Sequence, residues 1–385
     1  MIIGIDGNEA NVRDRVGVNE YAFQILSNLW KLQEKGECGH GLIVFLKNGP
    51  LPDMPKEKKN FEYVVLPGGR LWILTKLMPR LFLGNDHLDV LFSPSHYVAP
   101  FSPVPQVCSI MDLGYLEFSG QFTKKVFWQL KWWTAISIFV SKYIISISES
   151  AKKDIVRHYK FAAGKVYVTP LSHDVTEKDL NTNSDDVRRV RNRYSIVDDY
   201  VLYIGTLKPS KNIEGLVTAF HAIITNYSGK ARSCSAGQSP ITLVIAGKKG
   251  WMYEPIMKKV NDLGLTDRVI FTDYVTDADK MALRLGAKVF VQPSFWEGFG
   301  IDTLSAMYMG IPVVVSDAGS LPEVVGKAGI LVDPKSVESI SEGIKKVLTM
   351  NQKEYNKLVM AGKAQARKFS WEKTARETLK IVTSI

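Results

Sequence analysis

Short apolar runs alternate with segments of helical periodicity along the whole chain. Residues 290–315 show the pattern well: an apolar run, a glycine-containing loop, a segment whose apolar residues recur at helical spacing from Ile301, and a second apolar run. Gly310 ends that helix, and Pro312 cannot continue it. Strand, loop, helix and strand form a βαβ unit, and such units build parallel sheets. The pattern therefore predicts an α/β protein.

The predicted strands fall into two groups with a polar segment between them. In the first group they are residues 1–6, 42–46, 63–66, 90–93, 107–111, 143–148 and 166–170, and in the second residues 200–204, 241–246, 269–271, 289–291, 313–315 and 330–332. Residues 172–200 are polar and charged and contain the predicted linker, and residues 226–240 are predicted to be a polar insertion. A length of 385 residues also suggests two domains.

Composition indicates a soluble globular protein of a reducing compartment, so we expect a cytoplasmic location. Apolar residues make up 45% and charged residues 23% of the chain. The three cysteines, Cys38, Cys108 and Cys234, are far apart and lack metal-binding spacing. The first ten residues read as a strand rather than a signal peptide. No apolar run approaches the ~20 residues that span a bilayer.

A net charge of +10 favours anionic partners. The sequence has no zinc-finger or RNA-binding signature, so no nucleic acid is predicted as a partner. Residues 69–84 and 124–133 mix Lys and Arg with Trp, Phe and Leu, which is typical of a helix at a membrane interface. Core helices with solvated basic faces would have the same composition. A peripheral contact with the inner face of the membrane therefore stays open beside that alternative.

The loop before the helix at Ile301 has the chemistry of a sugar-phosphate site. Backbone N–H groups at a helix start, together with the helix dipole, favour an anion. Gly298 and Gly300 allow a ligand to approach the backbone closely. Glu297 lies beside this anion site, where a carboxylate would bind hydroxyls or a cation. An ordinary βα turn with a surface glutamate is the alternative on spacing alone.

The sequence EGFG at residues 297–300, followed by LSAM at 304–307 and GIPV at 310–313, resembles the signature of retaining, nucleotide-sugar-dependent glycosyltransferases of family 4. The resemblance covers nearly the whole chain. It implies the GT-B fold, in which two Rossmann-like domains face each other across a cleft. The acceptor-side domain would comprise residues 1–175 with a terminal helix at 371–385, and the nucleotide-sugar-binding domain residues 198–370.

The resemblance also implies roles for individual residues. Glu297 would bind hydroxyls of the donor sugar, Lys211 would neutralise the diphosphate so that no metal or other cofactor is needed, and Asp112 would be a polar residue of the acceptor site. The residues implied to bind the substrates are Gly17, Val18, His96, Thr206, Lys208, Gly247, Lys248, Tyr274, Val275, Gly298, Phe299, Gly300, Ile301 and Ser305.

Three positions depart from the family pattern. Ser305 stands where the family has a second glutamate, which binds the ribose hydroxyls. Met111 stands where the family commonly has a histidine. His96 either takes part of that histidine's role or is a structural residue of its loop. The family's loop arginine is absent at Thr206 and at Ser210, and Lys208 would replace it as a point charge.

The expected function is transfer of a sugar, with retention of anomeric configuration, from a nucleotide diphosphate sugar to a glycan or lipid-linked acceptor. GDP-mannose is the expected donor, because the loops at residues 205–212 and 247–251 resemble those of mannosyltransferases. Two alternatives stay open: a non-catalytic nucleotide-sugar-binding or scaffold protein of the same fold, and a GT-B nucleotide-sugar epimerase.

Overall fold

The computed structural model describes residues 1–118, 120, 123–176, 179–230 and 241–385. The chain divides into two compact units. The first unit comprises Met1–Ser172 and Phe369–Ile385, and the second comprises His173–Lys368. The chain therefore leaves the first unit once and returns to it for its last helix.

The first unit is built on a sheet in which seven described strands are all parallel. The strands are β1 (Ile2–Asp6), β2 (Gly41–Leu46), β3 (Phe61–Val65), β4 (Val90–Ser93), β5 (Gln106–Ile110), β6 (Tyr143–Ser146) and β7 (Val166–Val168). Their order across the sheet is β3-β2-β1-β4-β5-β6-β7. The order reverses beside β1, so the loops after β1 and β4 diverge and leave a crevice at that edge.

Helices connect these strands and cover the sheet. They are α1 (Val18–Glu34), α2 (Met78–Leu83), which continues a π-helical turn at Ile73–Leu77, α3 (Gly114–Glu117), α4 (Lys124–Val140) and α5 (Glu149–His158). Helix α1 buries Tyr21, Ile25, Leu26 and Leu29, the face that its apolar spacing predicts. Ser148 caps α5 by accepting a hydrogen bond from the Ala151 N–H.

The second unit contains a parallel sheet of six described strands in the order β10-β9-β8-β11-β12-β13. The strands are β8 (Asp199–Ile204), β9 (Ile241–Ala246), β10 (Val269–Asp273), β11 (Val289–Gln292), β12 (Val313–Ser316) and β13 (Ile330–Val332). This is the strand order of nucleotide-binding Rossmann sheets. Strands β8 and β11 are neighbours at the point where the order reverses, and ligands bind outside the carboxyl ends of such strands.

The helices of the second unit are α6 (Ser184–Arg193), α7 (Ile213–Lys230), α8 (Glu254–Asp262), α9 (Asp277–Leu285), α10 (Ile301–Met309), α11 (Leu321–Val325), α12 (Val337–Leu348) and α13 (Gln352–Ala366). Helix α14 (Trp371–Val382) belongs to the first unit and packs on α1. The predicted insertion at residues 226–240 is wrong for its first five residues, because α7 continues through Lys230. The rest of that prediction lies outside the described residues.

Burial explains why the strands of the second unit are almost uniformly apolar. Both faces of the sheet are covered, because Val201 and Val289 on one face and Leu202 and Phe290 on the other are all fully buried. Each such side chain stabilises the fold by about 1.5–3 kcal/mol. The prediction of an α/β fold with parallel sheets is confirmed. Of the described helices, none has the length and apolar character that crossing a membrane requires.

Candidate active site

The loops that follow β8 and β11 bring the two most strongly predicted residues together. Lys211 belongs to the loop after β8, and Glu297 belongs to the loop after β11. The two residues are 86 positions apart in the chain, yet Lys211 Nζ lies 2.5 Å from Glu297 Oε1. Their pairing follows from the parallel contact of the two strands, in which Val289 lies opposite Val201.

The Glu297 carboxylate is buried and fixed in orientation. Only 8% of the residue is exposed. Besides Lys211, Gln292 Nε2 at 2.5 Å and Ser294 Oγ at 2.8 Å also donate to Oε1. Burial alone would raise the pKa of Glu297, but the charge of Lys211 and the three donated hydrogen bonds outweigh it and hold the pKa below its usual range. Glu297 is therefore ionised at neutral pH.

The start of α11 supports the backbone of the Glu297 loop. Ser320 Oγ lies 3.0 Å from the carbonyl oxygen of Glu297 and 2.8 Å from that of Phe299, and its single proton is shared between the two acceptors. Gly319 has a φ of 61°, and a Cβ there would lie 2.6 Å from the Glu297 carbonyl oxygen. Glycine at 319 is thus required both by the backbone conformation and by the close approach of the loop.

The amino terminus of α10 lies directly after this loop. Gly300 precedes the helix with a φ of 100°, and a Cβ at that position would lie 2.6 Å from Leu321 Cδ2. The N–H groups of a first helical turn lack acceptors within the helix, and the helix dipole adds positive potential there. The geometry can therefore bind an anion beside the Glu297 carboxylate, as the loop sequence predicts.

Hydrogen bonds lock the Lys211 loop onto the Glu297 loop. Asn212 has a left-handed φ of 53°, and its side-chain nitrogen donates to the carbonyl oxygens of Pro293 at 3.1 Å and Pro334 at 2.6 Å. The Phe295 N–H donates to the Ser210 carbonyl oxygen at 3.0 Å. The two charged residues are consequently held by a rigid frame and not by a flexible surface loop.

The loop after β9 joins the same edge of the sheet. The Leu207 N–H donates to the Lys248 carbonyl oxygen at 2.9 Å, which brings Thr206 and Lys208 beside Gly247 and Lys248. Lys248 Nζ lies 4.5 Å from the centroid of the Tyr274 ring. Tyr274 is exposed at the end of β10, whereas Val275 after it is buried.

Ser305 is fully buried one turn into α10, and no pattern in the sequence indicates its partner. Its Oγ lies 2.5 Å from Asp174 Oδ1. Asp174 also accepts hydrogen bonds from Lys280 Nζ at 2.5 Å and Arg284 at 2.7 Å. Burial would raise the pKa of Asp174, but Arg284 and Lys280 lower it far below its usual range. Fully buried Arg284 also pairs with Asp302 in the first turn of α10.

The predicted residues of the first unit lie at the carboxyl ends of β1, β4 and β5. Gly17 has a φ of 55° and precedes α1, whose first residue is Val18. His96 follows β4, and burial lowers its pKa to about 4, so the imidazole is neutral at pH 7. Asp112 follows β5 and accepts a hydrogen bond from the Gly114 N–H at 2.8 Å. Asp112 thus fixes the start of α3.

Two further acids at the end of β1 were not selected from the sequence. Asp6 is buried and accepts hydrogen bonds from the backbone and side chain of Asn8. Burial raises the pKa of Asp6 to about 6. Glu9 accepts a hydrogen bond from Asn19 Nδ2 at 2.5 Å, and burial raises its pKa as well. The only signal in the sequence was that Asp6 ends an apolar strand and Glu9 follows it closely.

Comparisons with known proteins agree with this geometry. Residues 188–365 match the family model described as glycosyl transferases group 1. The chain is 31% identical over 378 residues to the O-antigen chain mannosyltransferase B of Escherichia coli, with 94% of each protein covered. It is 25% identical over 408 residues to the mannosylfructose-phosphate synthase of Agrobacterium fabrum, covering 95% of this chain and 87% of the relative.

A solved structure shares the fold at lower identity. The sucrose-phosphate synthase of Thermosynechococcus elongatus aligns with a TM-score of 0.71 and 18% identity, over 100% of this chain and 98% of that one. The GT-B fold predicted from the sequence is thereby confirmed. Identity of 31% over nearly the full length of both chains establishes more than the fold. The chain belongs to the group 1 glycosyltransferases.

Proposed function

We propose that this glycosyltransferase transfers mannose from GDP-mannose to a hydroxyl group of a glycan acceptor, with retention of configuration and without a metal. The observation that carries the proposal is the buried Lys211–Glu297 pair beside the amino terminus of α10. The choice of sugar is supported by relatives that are named a mannosyltransferase and a mannosylfructose-phosphate synthase. The choice of GDP rests on the loop resemblance described above.

In this proposal each charged group of the site has a separate role. The Glu297 carboxylate, held by three donors on Oε1, accepts hydrogen bonds from hydroxyls of the donor sugar. The bond from the anomeric carbon to the diphosphate oxygen breaks, and its electron pair leaves with the diphosphate. The acceptor oxygen bonds to the same face of that carbon, and the proton of the acceptor hydroxyl passes to the released diphosphate. Lys211 and the first turn of α10 stabilise the negative charge that develops on the leaving diphosphate. Such stabilisation by fixed dipoles and a lysine replaces the role that a metal ion has in other transferases.

The remaining predicted residues receive proposed positions on this basis. Thr206, Lys208, Gly247 and Lys248 would contact the phosphates or sugar, and Ser305 would lie near the ribose. The backbone after β10, at residues 274–275, would contact the base, and residues 298–301 would hold the diphosphate. Gly17, Val18, His96 and Asp112 would serve the acceptor side.

Nucleotide binding and transfer test this proposal directly. GDP, UDP and ADP would each be added to the protein with EDTA, because a ligand of the native state raises its melting temperature. We expect a shift with GDP, transfer from GDP-mannose, and an α-linked product by NMR. If no nucleotide raised the melting temperature, the protein would have no working donor site. A shift with UDP alone would refute GDP as the nucleotide of the donor. A β-linked product would refute retention of configuration.

Helix α4 supports a further proposal, that the acceptor is lipid-linked and the protein contacts an anionic membrane surface. Its outward stripe contains Trp128, Trp132 and Phe139, which are 49%, 63% and 74% exposed. The helix contains three lysines and no acidic residue. Aromatic side chains with a basic rim suit the interface of an anionic bilayer.

Vesicle co-sedimentation tests the membrane contact. Exchanging Trp128 and Trp132 for serine should abolish binding to vesicles that contain an anionic lipid. The control is Met360→Ser on α13, which removes an apolar side chain that is 66% exposed from another surface. Equal sedimentation of all three proteins would exclude α4 as the contact, and a wild-type dimer that dissociates on Trp exchange would identify self-association instead.

A further inference from the structure

The two tyrosines of β8 differ in what their hydroxyl groups contact. Tyr200 and Tyr203 are both fully buried. Tyr200 Oη donates a hydrogen bond to the Leu283 carbonyl oxygen at 2.7 Å. Within the part of the chain that the structure describes, Tyr203 Oη has no hydrogen-bond partner. A buried hydroxyl without a partner is uncommon in native proteins, because it destabilises the folded state.

The position of the Tyr203 hydroxyl relates it to the candidate active site. A Cβ built on Gly205 would lie 2.8 Å from Tyr203 Oη, so the hydroxyl lies directly against the first residue of the loop that carries Lys211. A Cβ on Gly247 would lie 2.1 Å from the Gly205 carbonyl oxygen. Neither Gly205 nor Gly247 therefore has room for a side chain.

The electrostatic surroundings keep the hydroxyl protonated. Burial is the main reason that the pKa of Tyr203 lies well above its usual value, and the negative charges of Glu297 and Asp302 raise it further. Both carboxylates belong to the segment around the start of α10. Tyr203 is thus a neutral hydrogen-bond donor at every pH at which the protein would work, and its hydroxyl lies against Gly205, at the start of the loop that carries Lys211.

We propose that the Tyr203 hydroxyl donates a hydrogen bond to a phosphoryl oxygen of the nucleoside diphosphate that binds at the start of α10. This inference rests on the proposed function, since that function supplies the ligand. The ligand oxygen provides the acceptor that the protein's own atoms do not. For this contact the phosphoryl oxygen must come close to the backbone at Gly205, and the absence of a side chain there allows it.

The test compares Tyr203→Phe with Tyr200→Phe by calorimetric titration of GDP and of guanosine. Tyr203→Phe should weaken GDP binding about tenfold, as expected for loss of a hydrogen bond to a charged group. It should leave guanosine affinity and the melting temperature of the free protein unchanged or higher. Tyr200→Phe should lower the melting temperature and leave GDP affinity unchanged, because it removes a satisfied internal hydrogen bond.

Three outcomes overturn the inference, and they are distinguishable. Equal GDP affinity of Tyr203→Phe and the wild type would overturn it alone. The same holds if Tyr203→Phe only destabilises the free protein, as Tyr200→Phe should, because the hydroxyl would then serve the fold. If the wild type binds neither GDP nor UDP nor ADP, the proposed function fails and this inference fails with it.

Discussion

Replacing Lys211 by methionine removes the charge that neutralises a buried carboxylate and keeps a flexible side chain of similar length. The side chains of Lys211 and Glu297 are only 16% and 10% exposed, so water replaces little of the lost interaction. Removing one partner of a buried pair costs about 3–5 kcal/mol. Gln292 and Ser294 still donate to Oε1, which favours the lower end of that range. We expect a loss of about 3 kcal/mol at pH 7.5, equivalent to a melting temperature lower by about 6–12 °C for a unit of this size.

The loss in Lys211→Met should depend on pH in a defined direction. In the wild type the pKa of Glu297 is lowered, so its ion pair stabilises the fold above pH ~4.3, the usual pKa in the unfolded chain, and this is lost as the pH falls. In the variant, burial acts without Lys211 and raises the pKa of Glu297. The folded variant therefore prefers the protonated form, and its deficit should shrink between pH 7.5 and pH 5.

Thermal unfolding at pH 7.5 and pH 5.0 would measure this, with Glu297→Gln and the double variant Lys211→Met/Glu297→Gln as controls. The double variant should be more stable than Lys211→Met alone, because it contains no unpaired buried charge. Equal deficits at the two pH values, or a double variant whose loss is the sum of the single losses, would refute the reasoning.

Three further changes probe the support of the site. Gly319→Ala should lower the free energy of unfolding by about 1–3 kcal/mol and reduce transfer, because the added Cβ would approach the Glu297 backbone. The control is Gly264→Ala, at a similar φ of 63° but with nothing within 4 Å of the added Cβ, and it should leave transfer unchanged. Ser320→Ala removes the hydroxyl that donates to the Glu297 loop, leaves the hydrogen bond from the Ser320 N–H to the Glu297 carbonyl oxygen, and should cost about 1–3 kcal/mol in thermal unfolding. Asp174→Asn should be most destabilising at neutral pH, and its deficit should narrow below pH ~4, because the wild-type pKa is lowered.

Each of these expectations has a contradicting result. Equal transfer rates for Gly319→Ala and Gly264→Ala would show that the loop tolerates displacement. Wild-type stability of Ser320→Ala would mean that its hydrogen bonds do not stabilise the loop. If the loss of stability in Asp174→Asn were the same at every pH, the negative charge of Asp174 would not be what stabilises its contacts with Lys280 and Arg284.

The fold was predictable because parallel strands buried on both faces appear as continuous apolar runs. Residues 200–204, 241–246 and 313–315 were located within one residue of the observed strands. Glycine and proline marked the ends of α10 correctly. The end of α7 was misplaced, because polar and small residues at 226–230 suggest a loop while the chain continues as a helix. Local composition does not reveal how far a helix extends when its last turns are polar.

The residues of the candidate site could be predicted from the sequence, but the contacts between them could not. Glu297 and Lys211 each stood in a recognisable loop, but no local pattern shows that two residues 86 positions apart share a hydrogen bond. The role of Asp174 was out of reach for the same reason, since it lies in a polar linker 131 positions from Ser305. Tyr203 read as an ordinary apolar strand residue, and only the structure shows that its hydroxyl differs from that of Tyr200.

The adjacency of β8 and β11 has a consequence for the order of events during synthesis. Closing a long loop and pairing parallel strands are slow steps, and domains form as the chain emerges from its amino terminus. Lys211 is made well before Glu297, and a chain that ends before β11 contains the cation without its counter-charge. Nucleotide affinity should therefore arise in a late step, when β11 adds beside β8, and the ion pair forms only after the two halves of this sheet have joined.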